Sequence, residues 1–324
     1  MKKRVVAVRR LHAEHLDQLK QECQVDYFPE LNHSNMDDFL SSMAQAHGLI
    51  GGKLAIDEGL LERSPHLEVV ATISVGYDNF PVEVMTQKGI ALCNTPDVLT
   101  ETTADTGFAL IMAASRRVAE LDRWVREGQW RAHIGEPQFG CDVHGKTLGI
   151  IGLGRIGAAV ARRGALGFGM PVLYSHSSPK PHLETTLGAK RCSMDSLLEQ
   201  SDVVCVTVPL TRDTYHLIGL DAFKAMKPSG IFVNISRGAV VDEKALITAL
   251  QANEIAGAGL DVFELEPLPS DSPLMTMPQV VILPHIGSAT HETRAAMAQL
   301  AVDNLLTALR GERPANLANS QVWV

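Results

Sequence analysis

The 324-residue sequence lacks long apolar runs, and this absence excludes membrane-spanning proteins. No stretch approaches the roughly 18–20 apolar residues that a transmembrane helix needs. The apolar run near the amino terminus, Val5–Val8, is short and is followed at once by Arg9 and Arg10, so it does not predict a secretory signal. We therefore expect a cytoplasmic protein with no membrane partner.

Cysteine is scarce and scattered. The 5 cysteines are odd in number, and no two form a Cys-x-x-Cys pair: Cys23, Cys93, Cys141, Cys192 and Cys205. Such spacing favours reduced, mostly buried thiols over disulfides, a redox pair or a metal site. His12 and His15 share one face of a predicted helix, but with no further ligand near them we expect no bound metal.

The composition also lacks an excess of positive charge. The chain has 29 basic and 37 acidic side chains, a net charge of −8, which disfavours nucleic-acid binding by bulk charge. Hydrophobic residues make up 45% and charged residues 20%, a balance that excludes a disordered chain. The net charge does not exclude a local cationic pocket for a small anion.

Short apolar segments alternate with helix-like segments along the whole chain. The first series is Val5–Val8, Gly48–Gly51, Val69–Ile73 and Ile90–Cys93. A helix predicted over Thr100–Arg117 separates it from a second series. That series is Thr147–Gly152, Val172–Tyr174, Val203–Val208, Ile231–Ile235, Gly257–Leu260 and Val280–Leu283. The alternation predicts parallel sheets covered by helices, and six strands in the second series are typical of a doubly wound nucleotide-binding domain.

A glycine-rich turn follows the first strand of the second series. Gly152 permits a tight turn, Gly154 lets the backbone approach a pyrophosphate, and Gly157 lets the following helix pack on the strand. The helix N-terminus then offers free N–H groups to the phosphates. A merely structural turn is the alternative, which the flanking strand and helix argue against. The predicted dinucleotide-binding residues are Gly152, Leu153, Gly154, Arg155, Ile156 and Gly157.

The segment after the next strand lacks the carboxylate that would bind the ribose 2′-hydroxyl of NAD. It offers instead hydroxyl, imidazole and ammonium groups that could bind a 2′-phosphate: Ser175, His176, Ser177 and Lys180. NADP(H) is therefore the favoured cofactor, while the absence of arginine from this stretch keeps NAD(H) open. A polar surface loop with no discriminating role is the alternative interpretation.

Three functional groups follow later predicted strands. They are Arg237, Glu266 and His285. A guanidinium can bind a carboxylate with an adjacent carbonyl, a histidine can supply a proton near neutral pH, and a neighbouring carboxylate can orient that histidine. Each residue alone is more often a surface ion-pair partner or a loop anchor. Their shared position at strand ends, where open α/β sheets bind ligands, favours a site for 2-oxo acid reduction.

The sequence resembles the D-isomer-specific 2-hydroxyacid dehydrogenase family in several ordered blocks. They are Ile73–Asp78, Gly152–Gly157, Arg237-Gly238, Asp261–Glu264 with Glu266-Pro267, and Pro284–Ser288. The run His285–Arg294 is most similar to glyoxylate/hydroxypyruvate reductases and bacterial 2-ketogluconate reductases.

The resemblance implies a role for each catalytic group. Arg237 would bind the substrate carboxylate and carbonyl, His285 would be the general acid/base, and Glu266 would favour its protonated form. Val75 and Gly76 would offer backbone N–H groups to the carboxylate.

The resemblance also implies further ligand contacts. Ser288 would touch the substrate, and Asp261 would lie near the nicotinamide carboxamide. The residues that would line the cofactor groove are Thr106, Val208, Pro209, Ile235, Asp261 and Gly287.

The family's architecture implies two α/β domains. A discontinuous, flavodoxin-like substrate domain would contain residues 1–98 and 288–324, and a Rossmann-type dinucleotide-binding domain would contain 99–287. A homodimer would form through the dinucleotide-binding domains, with Trp124, Trp130 and the loop Gly128–Gly140 at the interface.

The expected activity is NADPH-dependent reduction of small 2-oxo acids to D-2-hydroxy acids, by hydride transfer with histidine as the acid. Glyoxylate, hydroxypyruvate and 2-keto-D-gluconate are the candidate substrates because all present the same carboxylate–carbonyl head. Two alternatives remain. One is another dehydrogenase on this scaffold, such as a phosphite dehydrogenase, and the other is a non-catalytic dinucleotide-sensing module like the related corepressors.

Overall fold

The computed structural model describes residues 2–9, 11–53 and 56–323. The chain divides into two compact units. The first contains Met1–Leu99 and Ala289–Val324, and the second contains Thr100–Ser288. Across the described ranges, no helix is both long and apolar enough to cross a membrane. Assigning substrate binding to the first unit and dinucleotide binding to the second stays a prediction at this point.

The first unit alternates strands and helices. Its elements, in chain order, are β1 (Arg4–Val8), α1 (Ala13–Glu22), β2 (Gln24–Phe28), α2 (Met36–Met43), β3 (Gly48–Gly51), α3 (Glu58–Glu62), β4 (Val69–Thr72), α4 (Val82–Gln87) and β5 (Ala91–Cys93). The strands are parallel, in the order β2-β1-β3-β4-β5. This is the flavodoxin-like order, expected for a helix-covered parallel sheet.

The second unit is larger. Its helices are α5 (Thr100–Ser115), α6 (Val118–Arg126), α7 (Arg155–Arg162), α8 (Pro181–Leu187), α9 (Met194–Gln200), α10 (Leu220–Ala225) and α11 (Glu243–Gln251). Its strands are β6 (Leu148–Ile151), β7 (Val172–Ser175), β8 (Lys190–Arg191), β9 (Val203–Val206), β10 (Ile231–Asn234), β11 (Gly257–Leu260) and β12 (Val280–Ile282). The chain then returns to the first unit as α12 (His291–Leu309).

The sheet of the second unit is doubly wound. Its order is β12-β11-β10-β9-β6-β7-β8, with every pairing parallel. Buried clusters cover both faces, one formed with α5 and α7 and the other with α9, α10 and α11. The strand order reverses between β6 and β9, which is where such sheets bind ligands at the carboxyl ends of their strands.

The strand prediction was incomplete at the sheet edges. β2, in the first sheet, and β8, in the second sheet, were not predicted. With β8, the second sheet has seven strands within the described residues, where six were predicted. Both lie at an edge, and their partly or fully exposed side chains include charged residues, so neither forms the apolar run that marks a buried strand. The helix predicted over Thr100–Arg117 ends at Ser115, because Arg117 adopts a left-handed backbone with φ 55°.

Candidate active site

The glycine-rich turn joins β6 to α7 and admits no side chain at its first position. Gly152 has φ +99°, and a Cβ there would lie 2.8 Å from the Val208 nitrogen. Its own N–H donates to the Ser175 carbonyl at 2.9 Å. The turn therefore packs directly against the ends of both neighbouring strands, β7 and β9.

The other two glycines of the turn differ in their surroundings. A Cβ at Gly157 would lie 2.4 Å from the Gly152 carbonyl oxygen and 2.7 Å from Thr207 Oγ1, so only glycine lets α7 start this close to the turn. A Cβ at Gly154 would meet nothing within 4 Å. The open space beside Gly154, at the N-terminus of a helix whose first turn contains Arg155 and no acid, suits a pyrophosphate.

The remaining residues of this turn divide between core and surface. Leu153 is buried, Ile156 packs against the core cluster, and Arg155 is exposed. The two apolar side chains anchor the turn, so its backbone is held in place for a ligand on the open side.

The loop after β7 contains the residues predicted to select the cofactor. Ser175 and His176 are half-buried, Ser177 is exposed, and the backbone N–H of Lys180 donates to the Tyr174 hydroxyl at 2.8 Å. The loop contains no carboxylate.

Arg191, on the missed strand β8, reaches this same loop. Its guanidinium donates to the His176 carbonyl from Nε at 3.1 Å and from Nη2 at 3.0 Å, and to the Ser177 carbonyl at 3.1 Å. Burial, together with the charges of Lys180 and Arg191, lowers the pKa of His176. Lys180 and Arg191 make this loop locally positive on an acidic protein.

Glu266 and His285 form a close pair in the second unit. His285 follows β12, and its Nδ1 lies 2.7 Å from Glu266 Oε2. Because a carboxylate only accepts, Nδ1 is the donor and Nε2 is left for other chemistry. Burial acts to raise the pKa of Glu266. Three neighbours outweigh this effect and hold that pKa below its usual value: His285, through its hydrogen bond and charge, the Phe263 N–H, and the charge of Arg237.

Asp261, directly after β11, holds the histidine loop. It is only 1% exposed, and its two carboxylate oxygens accept from the N–H groups of Ile286 at 2.7 Å and Gly287 at 2.8 Å. His285 itself has φ 57°, a sparsely populated conformation for a non-glycine residue. The Asp261 bonds offset that strain, and burial raises the pKa of Asp261.

Arg237 lies in a turn after β10 that Asn234 organises. The Asn234 amide nitrogen donates to the Arg237 carbonyl at 3.0 Å, and its Oδ1 accepts from the N–H and hydroxyl of Ser236 at 3.0 and 2.8 Å. Asn234 is 1% exposed, and its carbonyl accepts from the Asp261 N–H at 3.0 Å. The arginine turn and the Asp261 segment are thus bonded to each other.

Gly238 brings the arginine turn against the glutamate segment. A Cβ at this position would lie 1.8 Å from the Phe263 carbonyl carbon and 2.3 Å from the Glu264 nitrogen. No larger residue fits without moving one backbone away from the other. The carboxyl ends of β10, β11 and β12 therefore bring Arg237, Glu266 and His285 to one edge of the sheet.

The other predicted site residues of the second unit have these positions. Thr106, on α5, donates from its hydroxyl to the Thr102 carbonyl at 3.2 Å. Ile235 is buried, Val208 and Ser288 are half-buried, and Pro209 is exposed. The Gly287 N–H is already bonded to Asp261, so this residue can meet a ligand only through its other atoms.

Val75 and Gly76 lie in the first unit, in the loop after β4. The Val75 carbonyl accepts from Asn94 Nδ2 at 2.8 Å, and the Gly76 carbonyl accepts from Ser74 Oγ at 2.8 Å. In the described part of the chain, the N–H groups of Val75 and Gly76 donate to no protein atom. Two neighbouring donors without acceptors suit a carboxylate.

Arg191 and the supporting functions of Asn234 and Asp261 were not predicted from the sequence. An Asn-x-Ser pattern just before Arg237 could have indicated the turn, since asparagine bonds its own backbone two residues on. No local signal connects Arg191 with a loop about fifteen residues earlier; only strand pairing does, through the register of Tyr174 with Arg191.

Comparison with known proteins agrees with this geometry. The family model for the NAD-binding domain of D-isomer specific 2-hydroxyacid dehydrogenases matches residues 108–287. The chain belongs to the D-isomer specific 2-hydroxyacid dehydrogenase family. It is accordingly an oxidoreductase whose cofactor is a nicotinamide dinucleotide.

Relatives in this dehydrogenase family match along nearly the whole chain. Glyoxylate/hydroxypyruvate reductase B of Yersinia enterocolitica is 51% identical over 322 residues, 99% of either chain. The crystal structure of the NADPH-dependent glyoxylate/hydroxypyruvate reductase of Sinorhizobium meliloti, in complex with NADP and malonate, has a TM-score of 0.86 at 33% identity, covering 99% of this chain and 98% of the other. A protein of Thermus thermophilus has a TM-score of 0.89 at 42% identity, covering 97% of this chain and 99% of the other.

Proposed function

We propose that this dehydrogenase reduces glyoxylate and hydroxypyruvate to D-2-hydroxy acids, with NADPH as the hydride donor. The observation that carries the proposal is the Glu266–His285 pair, held by buried Asp261 next to the turn of Arg237. Full-length relatives named for this activity, at about half identity, support it. 2-Keto-D-gluconate, with the same head group, is a third candidate substrate.

The proton and hydride are delivered separately. A bound nicotinamide would supply the hydride that the carbonyl carbon accepts. His285, whose Nδ1 donates to Glu266, gives the proton from Nε2 to the carbonyl oxygen. Arg237 binds the carboxylate and polarises the carbonyl, which favours the negative charge that develops on its oxygen. The products are the 2-hydroxy acid and the oxidised cofactor.

Preference for NADPH over NADH follows from the loop after β7. Arg191 and Lys180 provide positive charge, and His176, Ser175 and Ser177 provide neutral hydrogen-bonding groups, with no acid to bind a 2′-hydroxyl. Arg191 uses Nε and Nη2 for the loop backbone, and its Nη1 has no acceptor among the described residues. A 2′-phosphate would relieve the repulsion among these basic groups.

The first unit also offers donors that suit a carboxylate. These donors are the free N–H groups of Val75 and Gly76 in the loop after β4. Ser288 contacts the substrate as well, and Thr106, Val208, Pro209, Ile235 and Asp261 line the cofactor groove, in keeping with the family resemblance.

A homodimer formed through the second unit accounts for its exposed apolar surface. Val118 and Val125 of α6 are 53% and 45% exposed, and Trp130, Ile134 and Phe139 of the following loop are 62%, 55% and 58% exposed. Five exposed apolar side chains within one segment, residues 118–139, favour a protein interface. Light scattering should give twice the monomer mass, and a monomer would refute the assembly.

The decisive experiment for the substrate is a set of initial rates. Glyoxylate, hydroxypyruvate and 2-keto-D-gluconate are each measured with NADPH and with NADH. We expect turnover of the first two acids and a higher kcat/KM with NADPH. NADPH binding without turnover of any 2-oxo acid would instead indicate a dinucleotide-sensing module, and turnover of phosphite alone would indicate the other dehydrogenase class.

A further inference from the structure

We propose that Asn94 is a positioning residue for the carboxylate-binding loop of the first unit. It fixes the Val75 carbonyl so that the Gly76 N–H is presented to the substrate. This inference deepens the proposed function and rests on it, because it concerns the binding of a 2-oxo acid through the loop Ser74–Gly76.

The geometry of the peptide group connects Asn94 to the substrate. In a trans peptide, the carbonyl of one residue and the N–H of the next point in opposite directions. Asn94 Nδ2 donates to the Val75 carbonyl at 2.8 Å. The Gly76 N–H, which belongs to the same peptide plane, must therefore point away from Asn94.

The preceding peptide is fixed in the same way. The backbone N–H of Thr95 donates to the Ser74 carbonyl at 2.9 Å, which turns the Val75 N–H in the opposite direction. Thr95 is fully buried, so this contact is shielded from water. The dipeptide Asn94-Thr95, directly after β5, thus orients two successive peptide planes of the loop. The N–H groups of these two planes, from Val75 and Gly76, have no protein acceptor in the described ranges.

Asn94 is itself held from the carboxyl-terminal part of the unit. Its N–H donates to the Asn316 carbonyl at 3.2 Å, and its carbonyl accepts from Asn304 Nδ2 on α12 at 3.4 Å. The Asn304 amide also contacts Asn316 Oδ1 at 3.3 Å. A donor held at both its backbone groups can orient the loop before substrate arrives, which reduces the ordering required on binding.

A second asparagine of the same unit supplies the matched control. Asn319 is 1% exposed, accepts from the Leu92 N–H at 2.8 Å and donates to the Ile90 carbonyl at 2.9 Å. It therefore bonds β5 and the residue before β5, and among the described residues it makes no hydrogen bond to the loop Ser74–Gly76. Loss of its bonds should lower stability without changing how the loop is oriented.

The test compares Asn94→Ala, Asn94→Asp and Asn319→Ala in the full-length enzyme. We expect both Asn94 variants to raise KM for glyoxylate about tenfold, with kcat and NADPH affinity nearly unchanged, because the lost bond served carboxylate binding in ground and transition states alike. Asn94→Asp keeps the side-chain volume but loses the donor, so it also serves if the alanine variant fails to fold. Asn319→Ala should lower Tm and leave KM unchanged.

Binding of oxalate, a dicarboxylate that cannot be reduced at this site, gives a readout independent of turnover. Calorimetry on the NADP⁺-saturated enzyme should show affinity about tenfold weaker in both Asn94 variants than in the wild type and Asn319→Ala. An active wild type with unchanged KM and oxalate affinity in the Asn94 variants would overturn the role of Asn94 and leave the proposed function intact. A wild type inactive on every 2-oxo acid would refute the proposed function, and oxalate affinity would then decide the role of Asn94 alone.

Discussion

Two loop regions of the second unit are held in different ways. The loops of Arg237 and His285 are fixed by buried side chains, Asn234 and Asp261, each 1% exposed. The loop after β7 is held mainly through its backbone: exposed Arg191 bonds the His176 and Ser177 carbonyls, and the Tyr174 hydroxyl accepts from the Lys180 N–H. Groups that transfer protons need accurate placement, whereas a charge that selects a phosphate acts over a longer range and tolerates movement.

This comparison predicts the largest effect at His285. Replacing His285 with alanine should lower kcat about 100- to 10,000-fold, the usual contribution of a positioned acid, while NADPH affinity stays near that of the wild type. The control is His216→Ala, which removes the imidazole of another histidine–glutamate contact in the same unit, 2.8 Å from Glu264. Comparable loss in both variants would show that structure, not proton transfer, explains the defect.

Replacing Arg237 should have the next largest effect. Arg237→Lys keeps the charge but loses the planar pair of donors, so we expect kcat to fall and KM for glyoxylate to rise together, with kcat/KM about 100-fold lower. Steady-state kinetics with glyoxylate varied at saturating NADPH measures both constants. A change confined to NADPH affinity would contradict a substrate-binding role.

The close approach at Gly238 gives a third prediction. Gly238→Ala places a methyl group against the Phe263 and Glu264 backbone, so the arginine turn must move away from the glutamate segment. We expect a free energy of unfolding about 1–3 kcal/mol lower, together with a reduced kcat. Gly219→Ala is the matched control, because a Cβ at Gly219 meets nothing within 4 Å. Equal stability of the two variants would disprove the tight packing.

Much of the candidate site can be predicted from the sequence, but few of the contacts that hold its loops in place can. The glycine turn and the proposed catalytic groups occur in local motifs next to apolar strands, so a linear pattern indicates them. Arg191 instead reaches its loop through pairing of β7 with a two-residue edge strand. The contacts of Asp261 with the His285 loop join residues about 25 positions apart, and only the folded sheet brings them together.

The smallest effect is expected at the exposed loop. Arg191→Ala should lower the ratio of kcat/KM with NADPH to that with NADH about tenfold, because one charged contact to phosphate contributes modestly at a solvated site. Lys190→Ala, which removes a charge from the neighbouring position of β8, should leave the ratio almost unchanged. A ratio equally altered by both variants would indicate general electrostatic attraction rather than a phosphate contact.

Chiral analysis of the product is the sharpest test of the proposed reaction. The wild-type enzyme is incubated with hydroxypyruvate and a limiting amount of NADPH, and the glycerate formed is separated into its enantiomers. The proposed hydride delivery to one face of a carbonyl held by Arg237, with the proton from His285, predicts a single enantiomer in an amount equal to the NADPH consumed. Membership of the D-isomer specific family predicts that it is D-glycerate. Formation of L-glycerate, or of no glycerate despite bound cofactor, would refute the proposed reaction.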